Sequence, residues 1–156
     1  MIGKETDDPS NRDSSLRTLL SLGRWDKVDK NDLRRFREFV DEQIDDISIA
    51  GRDTAKWNGR DVIEPQDVPI TKGVQELTRE FDKFEEAEEV RNLLRQQVRR
   101  PPADVTFSED TEQLLVDLFG GLSIALARSF RVIDPASENP STQDWDRAFA
   151  LFRMLF

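Results

Sequence analysis

The sequence of 156 residues contains no Cys, no His and no Tyr, and its 23 Lys and Arg stand against 32 Asp and Glu, for a formal net charge of −9. The length admits one compact domain or two small interlocked units that share a core. Lack of Cys and His excludes disulfides, thiolate chemistry and zinc knuckles, and removes the commonest general base and transition-metal ligand. Any catalysis would rest on carboxylates, Lys, Ser or Thr, and no Gly-rich phosphate loop or nucleophile elbow is present to support it. No cofactor or metal site is expected, and the chain reads as a non-enzyme.

In chain order, residues 1–14 are polar, include Pro9, and read as a disordered tail. A short helix is predicted over Ser15–Leu22, with Leu16, Leu19 and Leu20 on one face and Gly23 as its stop. The loop from Arg24 to Val28 leads to a helix start at Asp29, whose carboxylate can accept the free amide hydrogens of the first turn. Leu33, Phe36, Val40, Ile44, Ile47, Gly51 and Thr54 then recur at steps of three and four, the stripe of a helix of about seven turns. Asp41, Glu42, Asp45 and Asp46 lie off that stripe and read as a solvated face, with weak divalent-cation binding or a basic partner as alternatives. Asn58-Gly59 is a left-handed stop.

Val62-Ile63 is expected to be extended, and Pro65 to open a helix at its first position, with Asp67 in the opening turn and Ile70, Val74, Leu77, Phe81 and Phe84 on its apolar face. A Glu-rich start at residues 85–89 suits the positive end of a further helix, which carries Val90, Leu93, Leu94 and Val98 and stops at Pro101-Pro102. Val105 reads as extended. Thr106 and Glu109 have capping-box spacing for a second long helix, apolar nearly all round from Leu114 to Phe130 and therefore central. Gly120-Gly121 in its middle predicts close approach of a crossing helix. After a turn-rich loop at 134–140, a last helix from about Ser141 turns Trp145, Phe149, Phe152 and Leu155 inward.

Short helix, strap, long helix, strap, short helix is the order of a histone fold, and it occurs twice. From Val28 onward the chain resembles a family of small prokaryotic proteins of unknown function that carry two histone folds on one chain. The residues behind the resemblance are Val28 to Leu33, Asn58-Gly59-Arg60-Asp61, Val68 to Gly73, and Asp134-Pro135 with Asn139-Pro140. The resemblance implies an all-α chain of tandem histone-fold motifs packed as an intramolecular pseudodimer, with residues 15–84 and 85–156 as its halves. It also implies a structural clamp between Arg60 in the second strap and Asp67 seven residues on, since a guanidinium fork can bond two carboxylate oxygens at once. Asn139 stands seven residues before Asp146, so no second clamp is expected.

Two functional classes follow. A protein-interaction or scaffold module is expected first, cytoplasmic and without a membrane segment, monomeric because one chain supplies both halves, and acting on a protein partner. The alternative is a DNA-associated protein that uses a local basic patch of Lys27, Lys30, Arg34, Lys56 and Arg60, with Arg99, Arg100 and Arg131 from the second half. Charge weighs against it: residues 1–84 carry 15 Lys and Arg against 19 Asp and Glu, and residues 85–156 carry 8 against 13, so neither half presents the positive excess that counterion release requires.

Overall fold

The computed structural model describes residues 28–155 together with Arg17 and Leu20. The predicted 1–14 tail, most of the predicted first helix and Lys27 lie outside the described residues; Arg17 and Leu20 are helical, and Leu20 is fully buried. The protein is all-α. Helix α1 spans Lys30–Trp57, followed by strand β1 (Val62–Ile63), a 3-10 turn (Pro65–Asp67), α2 (Lys72–Asp82), α3 (Ala87–Val98), β2 (Thr106–Phe107), α4 (Glu109–Ile133) and α5 (Thr142–Arg153).

Helix α1 starts on a reciprocal cap: Asp29 accepts the Asp32 amide at 2.8 Å and Asp32 accepts the Asp29 amide at 3.2 Å. It ends at Asn58, and Gly59 follows at φ 72°, a left-handed geometry that suits a residue without a Cβ. The predicted stripe is buried from Leu33 to Gly51, but Thr54 is exposed and Ala55 takes the core position.

Three further expectations are corrected. Pro65 opens only a 3-10 turn: Pro69 disfavours helical backbone at Val68 and lacks an amide hydrogen, so the helix restarts at Lys72 with the Thr71 hydroxyl accepting from Val74 at 3.2 Å. Thr106 is not a cap, because its amide is committed to the Asp61 carbonyl at 3.0 Å; Ser108 caps α4 instead, accepting from the Thr111 amide at 3.1 Å. Leu155 is 67% exposed, because α5 ends at Arg153 and the helical period that would have turned it inward stops with it.

Strands β1 and β2 pair in parallel, Val62 with Thr106 and Ile63 with Phe107. The buried Thr111 hydroxyl donates to the Ile63 carbonyl at 2.7 Å, fixing the first turn of α4 to β1. Helix α4 is central, with thirteen of its 25 residues buried and the other described helices packed on it. At the predicted Gly120-Gly121 crossing, α2 passes so close that a Cβ on Gly121 would lie 2.9 Å from the Thr78 amide nitrogen. One continuous apolar core draws on α1 through α5.

Helix α5 lies beside α1 in parallel. The Trp145 indole donates to Asp32 at 3.0 Å, Arg35 pairs with Asp146 at 2.7 Å, and the Phe39 ring meets Phe149 and Phe152 edge-on at 5.9 and 4.8 Å. Arg153 pairs with Glu42. Burial pushes the Asp32 carboxyl up, and the indole and amide donors it accepts from act against that rise.

Gln43 is wholly buried on α1, and neither its amide nitrogen nor its carbonyl oxygen has a hydrogen-bond partner among the described residues. An unpaired buried amide opposes folding, so Gln43→Met, which keeps the length and removes the polar atoms, is expected to stabilise the protein by about 1 kcal/mol in urea unfolding. Unchanged or lower stability in that variant would refute the reading.

Candidate interaction surface

The described members of the predicted basic patch do not come together. Lys30 and Arg34 sit on the first turns of α1, where Arg34 donates to the Asn31 side chain at 2.6 Å. Lys56 ends the same helix and Arg60 follows it. From Lys30 to Lys56 the helical rise alone gives about 40 Å. The candidates therefore divide between two ends of the molecule.

At the end where β1 and β2 pair, the cations are engaged by carboxylates. Lys56 lies 2.9 Å from Asp61 and 3.8 Å from Asp104, and Arg52 lies 3.4 Å from Asp53 and 4.0 Å from Asp104. Asp61 bonds and attracts Lys56, raising the lysine and lowering its own carboxyl. Both charges of that pair therefore persist at neutral pH.

Arg60 spans β1 and the 3-10 turn. Its two terminal nitrogens reach the two Asp67 oxygens at 2.6 and 2.8 Å, and one also reaches the Val62 carbonyl at 3.2 Å. The Asp67 side chain is 1% exposed and also accepts the Glu64 amide at 2.8 Å. Arg60 hydrogen bonding holds the Asp67 carboxyl below its usual range, against the opposing effect of burial. This pair tethers the strap to the turn and leaves Arg60 committed internally. In the second half Asp144 is buried as the partner of the Ser141 cap, and Asp146 pairs with Arg35.

Arg99 and Arg100 are exposed after α3, and Arg131 is half-buried on the last turn of α4. Arg99 borders an open cleft of about 220 Å³ between α3 and α4, where Arg95 is its basic companion and Glu109 and Glu112 face them. That cleft is also balanced in charge.

The acidic face of α1 is partly tied down rather than uniformly solvated. Asp41 accepts from the Gln97 side chain of α3 at 3.2 Å, and Glu42 is held by Arg153 of α5. Burial raises the Asp46 carboxyl, with Glu42 and Asp45 adding to the rise. Among the described residues no group of three or more Asp or Glu is placed to hold a metal ion, and no helix is long and apolar enough to cross a membrane.

Sequence reasoning missed Arg52 and Asp104, whose partnership spans 52 residues, and the exposed side chains Ile49 and Trp57 on the outer face of α1. Ile49 and Trp57 are eight residues apart, a helical spacing that could have revealed them as a second stripe.

The geometry defines a class: an all-helical protein in which the cations beside a short parallel strap are held in ion pairs by carboxylates of the same chain. Its family is equally definite. The chain belongs to the family described as a domain of unknown function (DUF1931), which matches residues 16–153. An uncharacterized protein of Aquifex aeolicus (strain VF5) is 29% identical over 125 residues, covering 70% of this chain and 71% of that one. A crystal structure of a Thermus thermophilus protein superposes with a TM-score of 0.79 at 36% identity, over 92% of this chain and 97% of that chain. A crystal structure from Aquifex aeolicus shares the fold with a TM-score of 0.75 at 22% identity, over 98% and 100% of the two chains.

Proposed function

We propose that this protein is a non-enzymatic histone-type pseudodimer, with residues 15–84 and 85–156 as its halves, that acts as a monomeric interaction or scaffold module for a protein partner. Two long helices, α1 and α4, serve as the central helices of the halves, and the parallel β1–β2 pair takes the place of the strap pairing between them. The functional reading is carried by one observation: the cations beside that strap, Arg52, Lys56 and Arg60, are all engaged by carboxylates of the same chain. Binding a phosphate there would first require breaking those pairs, and little counterion release would remain to drive it.

The test is retention of duplex DNA at about 0.15 M salt, the physiological ionic strength. The native protein is expected not to be retained, whereas Asp61→Asn with Asp104→Asn is expected to gain affinity that falls as salt rises. Retention of the native protein, abolished by Lys30→Glu with Arg34→Glu, would overturn the reading in favour of a DNA-associated protein.

A further inference from the structure

The end of α3 and the start of α4 flank the open cleft of about 220 Å³. Arg95, Val98 and Arg99 line it from the first side, and Glu109, Glu112 and Val116 from the second. The two valines are core residues, 1% and 3% exposed, so they form an apolar floor between walls of longer charged side chains.

The walls carry opposite charge that the chain leaves uncompensated. Arg95 is drawn back along its own helix, 3.3 Å from Glu88 and bonded to the Asn92 side chain. Arg99, Glu109 and Glu112 form no ion pair among the described residues. The contrast with the strap is direct, since Arg52 and Lys56 there have closed onto carboxylates within 4.0 Å. In the cleft both signs are present and stand apart across open space.

That arrangement selects an occupant. A phosphate would gain Arg99 but meet two carboxylates, and an organic cation would gain the carboxylates but meet Arg99. A purely apolar molecule would desolvate all three charges and pair none of them. A molecule with a carboxylate at one end, an ammonium at the other and an apolar body between them satisfies every part of the cleft. Its size is limited, because 220 Å³ lies below the range of about 300–1,000 Å³ found for drug-sized ligands.

The geometry points to the α3–α4 cleft as a binding site for a small zwitterion of the dipeptide class, with its carboxylate on Arg99, its ammonium on Glu109 and Glu112, and its side chains on Val98 and Val116. The inference goes beyond the protein-interaction reading and does not depend on it.

The test is calorimetry of the full chain with alanyl-leucine, its N-acetyl form and its C-terminal amide, the last two each lacking one of the charges. The free dipeptide is expected to saturate at one per chain, and each blocked form to bind at least about tenfold more weakly. Arg99→Gln is expected to erase the difference between the free dipeptide and the amide. Glu109→Gln with Glu112→Gln is expected to erase the difference between the free dipeptide and the N-acetyl form. All three residues lie outside the buried core, so the variants are expected to melt as the native protein does. Lack of saturable binding at millimolar dipeptide, or binding that the substitutions do not alter, would overturn the proposal. So would tighter binding of the amide, which would make the cleft a cation site, or of the N-acetyl form, which would make its ligand the C-terminus of another chain.

Discussion

One methyl group added at Gly121 is expected to lower the unfolding free energy by about 2 kcal/mol, and the melting temperature by roughly 4–8 °C for a chain of this size. The reason is where helices α2 and α4 cross. An ideal Cβ at Gly121 would lie 2.9 Å from the Thr78 amide nitrogen, 3.0 Å from the Leu77 carbonyl carbon and 3.2 Å from the Thr78 Cα. These are backbone atoms, so no rotamer change relieves the contact, and α2 must shift as a unit away from the core. Overpacking of this kind costs about 1–3 kcal/mol or somewhat more, while replacing a helical Gly by Ala returns at most about 1 kcal/mol. The balance is destabilising. Gly73→Ala is the control: its Cβ would meet nothing closer than 4.0 Å, so only the helix-propensity gain remains and stability should rise slightly. If Gly121→Ala and Gly73→Ala give the same change by calorimetry, the crossing is not the tight contact described here.

Asp67→Ala is expected to cost about 2–3 kcal/mol, because it leaves the Arg60 guanidinium and the partly buried Glu64 amide without their acceptor. The loss stays below that of a fully buried pair because the Arg60 side chain is 32% exposed and can recruit water. The pair also gives stability a defined pH dependence. Its folded carboxyl titrates below the ordinary carboxylate range, so the native state resists protonation more than the unfolded chain does. The stabilisation is therefore complete above the ordinary Asp pKa and disappears as pH falls from that range through the lowered folded value. Asp67→Asn should remove this contribution and flatten the acid side of the stability profile. Urea titrations across the acidic range measure it, and an unchanged slope would show that the pair is not coupled to folding.

Much of the architecture could be read from local signals. The stripe from Leu33 to Gly51, the Asp29 cap and the Asn58-Gly59 stop define α1 because apolar period, cap chemistry and left-handed backbone all act within a few residues. The apolar character of α4 placed it at the centre, and its paired glycines implied a close crossing. Misreadings arose where two local signals competed. Pro65 resembles a helix start, but Pro69 four residues on interrupts the same segment. Thr106 has the spacing of a cap, but its amide is taken by a strand pairing whose other half lies more than forty residues away.

The candidate surface was less legible. Sequence supplied the acidic balance, the Arg60 and Asp67 spacing and a set of basic residues, because charge and short-range spacing do not depend on long-range contacts. It could not group them. The tertiary structure placed Lys30 and Lys56 at opposite ends of one helix, joined Lys56 and Arg52 to Asp104, and drew Asp41 and Glu42 into contacts with α3 and α5. It also decided how much of α1 is covered by α5, since that depends on where α5 stops against it. Periodicity determines which face of a helix can be buried; only the packing of distant elements determines what buries it and how much of its length is left open.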